Sequence, residues 1–91
     1  MDPNTIALSS LSMDLRRVAM GAHRGSEKMA RRFLLEAKKR ASEVRREFVR
    51  PYIANILDQV TSFSESRLDK SGAEDMLLYS ILLQNAVTKM H

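Results

Sequence analysis

Basic side chains recur at regular spacing in the middle of the chain. Two rows place them seven residues apart: Arg31, Lys38 and Arg45 form one row, and Arg32, Lys39 and Arg46 form the other. Residues seven apart share one side of an α-helix, so the rows could track the phosphates of a nucleic acid in a salt-dependent way. The plainer interpretation is a solvated helix face whose charges pair with nearby glutamates, and the scarcity of aromatic side chains for base stacking favours it.

The charge of the chain is unevenly distributed. Residues 1–50 carry 12 Lys and Arg against 6 Asp and Glu, whereas residues 51–91 carry 3 against 5. The two halves could therefore attract each other, and the positive half could attract an anionic partner.

The residues that usually carry catalysis or bind metals are few and scattered. There is no cysteine, and His23 and His91 are far apart, so we expect no metal site and no cofactor. No glycine-rich phosphate loop is present. Four acidic residues are expected to be ordinary charges on helix surfaces: Asp14, Glu36, Glu43 and Glu47. The sequence therefore predicts a protein that is not an enzyme and has no catalytic residue.

One spacing does suggest a reaction. Arg17 and His23 are separated by five residues, which resembles the Arg-x(4–6)-His pattern of HEPN-domain ribonucleases. In that family the pair sits in a helical bundle and acts on RNA phosphodiesters. Val18 stands where the family commonly has a polar residue, and the pair lies in the first helix rather than late in the chain. The resemblance covers seven residues and implies a remote alternative, a HEPN-like ribonuclease.

Apolar residues three or four apart predict an all-α protein with one helical domain over residues 1–91. Helix 1 is expected over about 4–22, helix 2 over about 26–62, a loop over about 63–70 and helix 3 over about 71–89. Asp2, Asn4 or Thr5 can cap helix 1, and Gly25 followed by Ser26 can end it and start the next. Ser71 and Glu74 have the spacing of a capping box for helix 3.

Pro51 lies inside the long second helix. Proline has no N–H to donate and its ring crowds the preceding turn, so its interior position costs about 3 kcal/mol. The apolar pattern passes Pro51 in phase, and no capping residue lies between Glu43 and Tyr52. We therefore expect a continuous helix kinked near residue 51, and a four-helix bundle if the helix breaks there.

Helix 3 is apolar around most of its circumference, which one neighbouring helix cannot cover. A chain of 91 residues is also near the size at which a single core becomes marginal. We therefore expect a homodimer, with an interface formed by Leu77, Leu78, Ile81 and Leu82. Helix 1 carries an apolar seam for another helix, flanked by Ile6, Met13 and Met20 at seven-residue spacing. The methionines, among them Met13, Met20, Met29 and Met76, are expected to fill the core, although methionine also suits adaptable partner surfaces.

The functional expectation is a small non-enzymatic adaptor or regulatory subunit that self-associates and binds another protein. The alternative is a regulator that binds nucleic acid through the basic face of helix 2. A membrane partner is not expected, because the apolar stripe in the basic half of that helix is thin, with Ala37 and Ala41 where large anchors would be needed. No signal-peptide pattern is visible, so a cytoplasmic location is expected.

Overall fold

The computed structural model describes residues 2–89, which form four α-helices and no β-strand. These are α1 (Pro3–His23), α2 (Glu27–Glu43), α3 (Pro51–Thr61) and α4 (Lys70–Lys89). Two short 3-10 helices, Arg46–Phe48 and Glu65–Arg67, lie in the connections. The prediction of an all-α protein is confirmed.

Local signals determine how α1 begins and how it joins α2. The Asp2 carboxylate accepts a hydrogen bond from the Asn4 amide at 3.3 Å, and Pro3 occupies the first helical turn. After α1, Gly25 has a φ of 77°, a backbone conformation that only glycine adopts without strain. The Ser26 hydroxyl then accepts a hydrogen bond from the Met29 amide at 3.3 Å and caps α2. The chain therefore reverses direction within a few residues.

The expectation of one long helix kinked at Pro51 is wrong. Helix α2 ends at Glu43, Val44 is extended, and a new helix begins at Pro51. Pro51 suits the first position of α3, and it disfavours helical geometry at Arg50, which is extended with φ −67° and ψ 154°.

A distant side chain stabilises this interruption. Asn4 of α1 is buried, and its amide group donates to the Arg45 carbonyl oxygen at 3.0 Å and accepts from the Arg45 N–H at 2.9 Å. Asn4 therefore satisfies the hydrogen-bonding capacity of both the N–H and the C=O of Arg45, which lies just beyond the end of α2.

The predicted capping box of the last helix is also wrong. Helix α4 starts at Lys70, and the Asp69 carboxylate caps it by accepting from the Gly72 amide at 2.8 Å. Gly72 packs so tightly that a Cβ atom would overlap the Arg67 carbonyl oxygen. Because Asp69 is as good a cap as Ser71 and precedes it, the helix begins one residue earlier than expected.

Helix α1 is the central element of the fold. It packs against both α2 and α4, and α2 also contacts α3. Its residues Leu8, Leu11, Leu15 and Val18 are completely buried. They belong to one apolar cluster with residues of the other three helices, including Leu34 of α2, Leu57 of α3, and Met76 and Leu83 of α4. No helix within residues 2–89 is long and apolar enough to cross a lipid bilayer.

Candidate functional site

A pair of serines joins α1 and α4 by reciprocal hydrogen bonds. The Ser12 hydroxyl donates to the Ser80 carbonyl oxygen at 2.8 Å, and the Ser80 hydroxyl donates to the Ser12 carbonyl oxygen at 2.9 Å. Both residues are buried. Small side chains let the two helices approach closely, and reciprocal hydrogen bonds determine how they align along their axes. The outer surface formed by both helices is thereby held in a defined geometry.

Six large apolar side chains of α1 and α4 are exposed, and four of them line the groove between the two helices. Ile6, Met13 and Met20 project from α1 with exposed fractions of 50%, 51% and 38%, and Leu77, Leu78 and Ile81 project from α4 with 44%, 52% and 50%. We call these six residues, together with Arg16 and Glu74, the α1–α4 surface. The expectation that the methionines fill the core is therefore wrong for Met13 and Met20, although Met76 is fully buried.

Two adjacent depressions make the α1–α4 surface concave. The first has a volume of about 530 Å³ and is lined by Met20, His23, Glu74 and Leu77, among others. The second has a volume of about 360 Å³ and is lined by residues that include Met13 and Ile81. Arg16 and Leu77 line both. Met13 and Met20 of α1 and Leu77 and Ile81 of α4 therefore form one continuous surface, whereas Ile6 and Leu78 line neither depression.

The residues predicted for an oligomer interface divide into two environments. Leu77, Leu78 and Ile81 are exposed on the α1–α4 surface. Leu82 instead packs partly buried against the core, and it lines a different depression with Ile53 of α3. The seven-residue spacing of Ile6, Met13 and Met20 was the sequence signal for the α1 half of this surface.

The basic rows expected on one long helix are shortened by its interruption. Arg45 and Arg46 lie beyond the end of α2, where Arg45 pairs with Glu47 at 3.0 Å and Arg46 pairs with Asp58 at 2.6 Å. Arg31 pairs with Glu27 at 3.3 Å. Three of the six candidate phosphate-binding residues are thus engaged within the chain.

One line of residues on the exposed side of α2 includes three cations. Lys28, Arg32, Leu35 and Lys39 are all exposed, and we call them the α2 stripe. The side chains of Lys28, Arg32 and Lys39 make no hydrogen bond or ion pair with another residue in the range 2–89. Lys38, the remaining member of the predicted rows, is partly buried beside the stripe.

Asp14 is not the surface charge that its helical position suggested. It is 6% exposed between α1 and α2, with a carboxylate oxygen 3.7 Å from Arg40 Nε and the other 3.9 Å from Arg17. Burial raises the pKa of the Asp14 carboxyl above its ordinary value, and nearby Arg40 and Arg17 only partly offset this. The site joins two helices and lies away from the depressions of the α1–α4 surface.

Arg17 and His23 lie on different sides of α1. Six residues correspond to a rotation of about 240° around the helix axis, so the two side chains diverge by about 120°. Arg17 lies over the Phe33 ring, 5.4 Å from its centroid, and next to Asp14. His23 lines the depression between α1 and α4.

No group of three or more His, Cys, Asp or Glu residues within the described range is placed to hold a metal ion. His91 lies outside the described residues.

No family model, no curated protein and no solved structure matches the chain.

Proposed function

We propose that this protein is a small helical interaction protein that works by binding rather than by catalysis. In this proposal it self-associates through the α1–α4 surface and presents its remaining faces to a protein partner. The observation that carries the proposal is the continuous apolar surface on two helices whose relative position the Ser12–Ser80 contact fixes.

Exposed apolar side chains on two packed helices suit an interaction surface. The six side chains are 38% to 52% exposed, and the largest apolar patch on a soluble protein, typically about 300–600 Å², is often a binding site. A stable interface buries about 800 Å² on each partner, a little over half of it non-polar. In the proposed dimer these apolar side chains form the centre of such an interface, and the polar residues around them form its rim.

The charges of the surface are also compatible with a second copy. Arg16 and Glu74 line the same depression, and neither has an ion-pair partner within the described part of the chain. In a two-fold symmetric dimer the same patch meets itself, so each Arg16 can face a Glu74 of the other copy. A surface with both signs of charge around an apolar centre is complementary to itself.

Light scattering on matched variants tests this proposal. Ile81→Glu places a charge in the middle of the apolar surface and should convert the dimer to a monomer. Leu35→Glu makes the same chemical change at a side chain that is 62% exposed on α2, and should leave the dimer intact. Equal effects of the two substitutions, or a monomeric wild type, would remove the basis for the proposal. Circular dichroism should show that both variants remain helical.

A further inference from the structure

The α2 stripe lies along the centre of the exposed side of α2. Its members are spaced four, three and four residues apart, which keeps them in one line on a helix. The opposite side of α2 carries the buried residues Ala30, Leu34, Ala37 and Ala41. At 1.5 Å per residue the stripe is about 17 Å long, a little over three helical turns.

The three cations of the stripe form no ion pair within residues 2–89. Glu36 and Glu43 lie one helical turn from Arg32 and Lys39 without pairing with them, and Glu27 and Glu43 pair with Arg31 and Arg40. Arg32 rests near the Phe33 ring, with its guanidinium carbon 5.8 Å from the ring centroid. The stripe therefore presents three cations that carboxylates of another molecule could reach.

Leu35 distinguishes this stripe from a simple phosphate-binding surface. It lies between Arg32 and Lys39 and is 62% exposed, more than any other large aliphatic side chain among residues 2–89. A phosphate group offers nothing apolar for Leu35 to pack against. A partner helix offers both kinds of contact, since it can place acidic and apolar side chains in one line opposite residues spaced four, three and four apart.

We propose that the α2 stripe binds an acidic amphipathic helix of another protein. Glu or Asp side chains of that helix pair with Lys28, Arg32 and Lys39, and an apolar side chain packs against Leu35. Opposite charges accelerate the encounter and fix the register, while contact with Leu35 selects a helix over other polyanions. This surface lies on α2 and does not depend on self-association, because a monomer presents the same stripe.

Fluorescence anisotropy with a synthetic probe tests the proposal. The probe is a labelled 21-residue helical peptide with Glu and Leu along one heptad seam, and the control peptide has Lys in place of each seam Glu. The full-length protein should bind the acidic peptide, with an affinity that falls as salt rises, and should not bind the basic peptide. Absence of binding to the acidic peptide at low salt would overturn the proposal.

Variants distinguish a helix from other anionic partners. Leu35→Ala should weaken peptide binding several-fold, and Arg32→Glu should weaken it more. Arg50→Glu, which changes an exposed arginine just before α3, should have little effect. The same proteins are then tested with a short DNA duplex and with phosphatidylserine vesicles. Binding to either of these that exceeds peptide binding, and that is insensitive to Leu35→Ala, would overturn the helix proposal in favour of phosphate or lipid recognition.

Discussion

Ser12 and Ser80 each donate a hydrogen bond to the backbone carbonyl oxygen of the other, across the buried contact between α1 and α4. The two residues are 68 positions apart in the chain, and nothing near either one indicates the pairing. Their contact brings Met13 of α1 and Ile81 of α4 to the same depression. The proposed interaction surface therefore depends on a polar pair beneath it.

Removal of one hydroxyl should weaken this contact without destroying the fold. Ser12→Ala leaves both carbonyl groups inside their helices but removes a buried hydrogen bond, so the free energy of unfolding should fall by about 1 kcal/mol. Urea denaturation measures this change. Ser42→Ala serves as the control, because the Ser42 hydroxyl is exposed and bonds only within its own helix region. A loss for Ser12→Ala no larger than that for the control would show that the pair does not stabilise the packing.

Asn4 should be more important than its terminal position suggests. Its side chain makes two hydrogen bonds to the peptide groups of Arg45, so Asn4→Ala should lower the free energy of unfolding by about 2 kcal/mol. Asn4→Asp keeps the acceptor but loses the donor and should lie between the wild type and Asn4→Ala. Amide hydrogen exchange at Arg45 provides a local measurement, and protection there that survives in Asn4→Ala would contradict the assignment.

Asp14 should contribute more to stability at low pH than at neutral pH, which is the reverse of the usual effect of a carboxyl group. Burial raises the pKa of its carboxyl in the folded protein above the ordinary value of 3.8, so the folded state holds the proton more tightly than the unfolded chain. The contribution of Asp14 to stability is then fully present below pH 3.8 and is lost as pH rises through the folded pKa.

An isosteric neutral variant isolates this effect. The free energy of unfolding of the wild type relative to Asp14→Asn should rise as the pH is lowered from neutral towards 3.8. Urea denaturation of both proteins over that pH range measures the difference, and an NMR titration of the carboxyl carbon gives the pKa directly. A folded pKa below 3.8 would mean that Arg40 and Arg17 outweigh burial.

A charge exchange on the α1–α4 surface should reveal contact between two copies. Arg16→Glu or Glu74→Arg alone places like charges opposite each other in the proposed dimer, so each should weaken dimerisation about tenfold, equivalent to about 1.4 kcal/mol. The double variant restores opposite charges and should recover much of the lost affinity. Arg24→Glu, an exposed change in the turn after α1, is the control. Additive weakening in the double variant would exclude an Arg16–Glu74 contact between copies.

Short-range signals in the sequence predicted most of the helices. Asp2 and Pro3 start α1, and Gly25 and Ser26 turn the chain into α2, because each acts on backbone groups within three residues of itself. The break after Glu43 was not predicted, because it depends on a residue that is distant in the sequence. It is stabilised by Asn4, which is 41 positions from Arg45 and becomes its neighbour only when α1 packs beside the end of α2.

The sequence also predicted only part of the candidate site, the half that lies on α4. The crowding of apolar residues on α4 predicted an interface at Leu77, Leu78, Ile81 and Leu82. The first three are exposed, and Leu82 is partly buried against the core. The apolar spacing of α1 did not show which side faces solvent, so Met13 and Met20 were placed in the core. Only the position of α1 between α2 and α4 decides that these two methionines join the exposed surface.

Sedimentation equilibrium of the wild-type protein over a wide concentration range tests self-association most directly. We predict a reversible monomer–dimer equilibrium, with the apparent mass rising towards twice that of one chain and no larger species. The mass of a single chain at every concentration would contradict the proposed self-association.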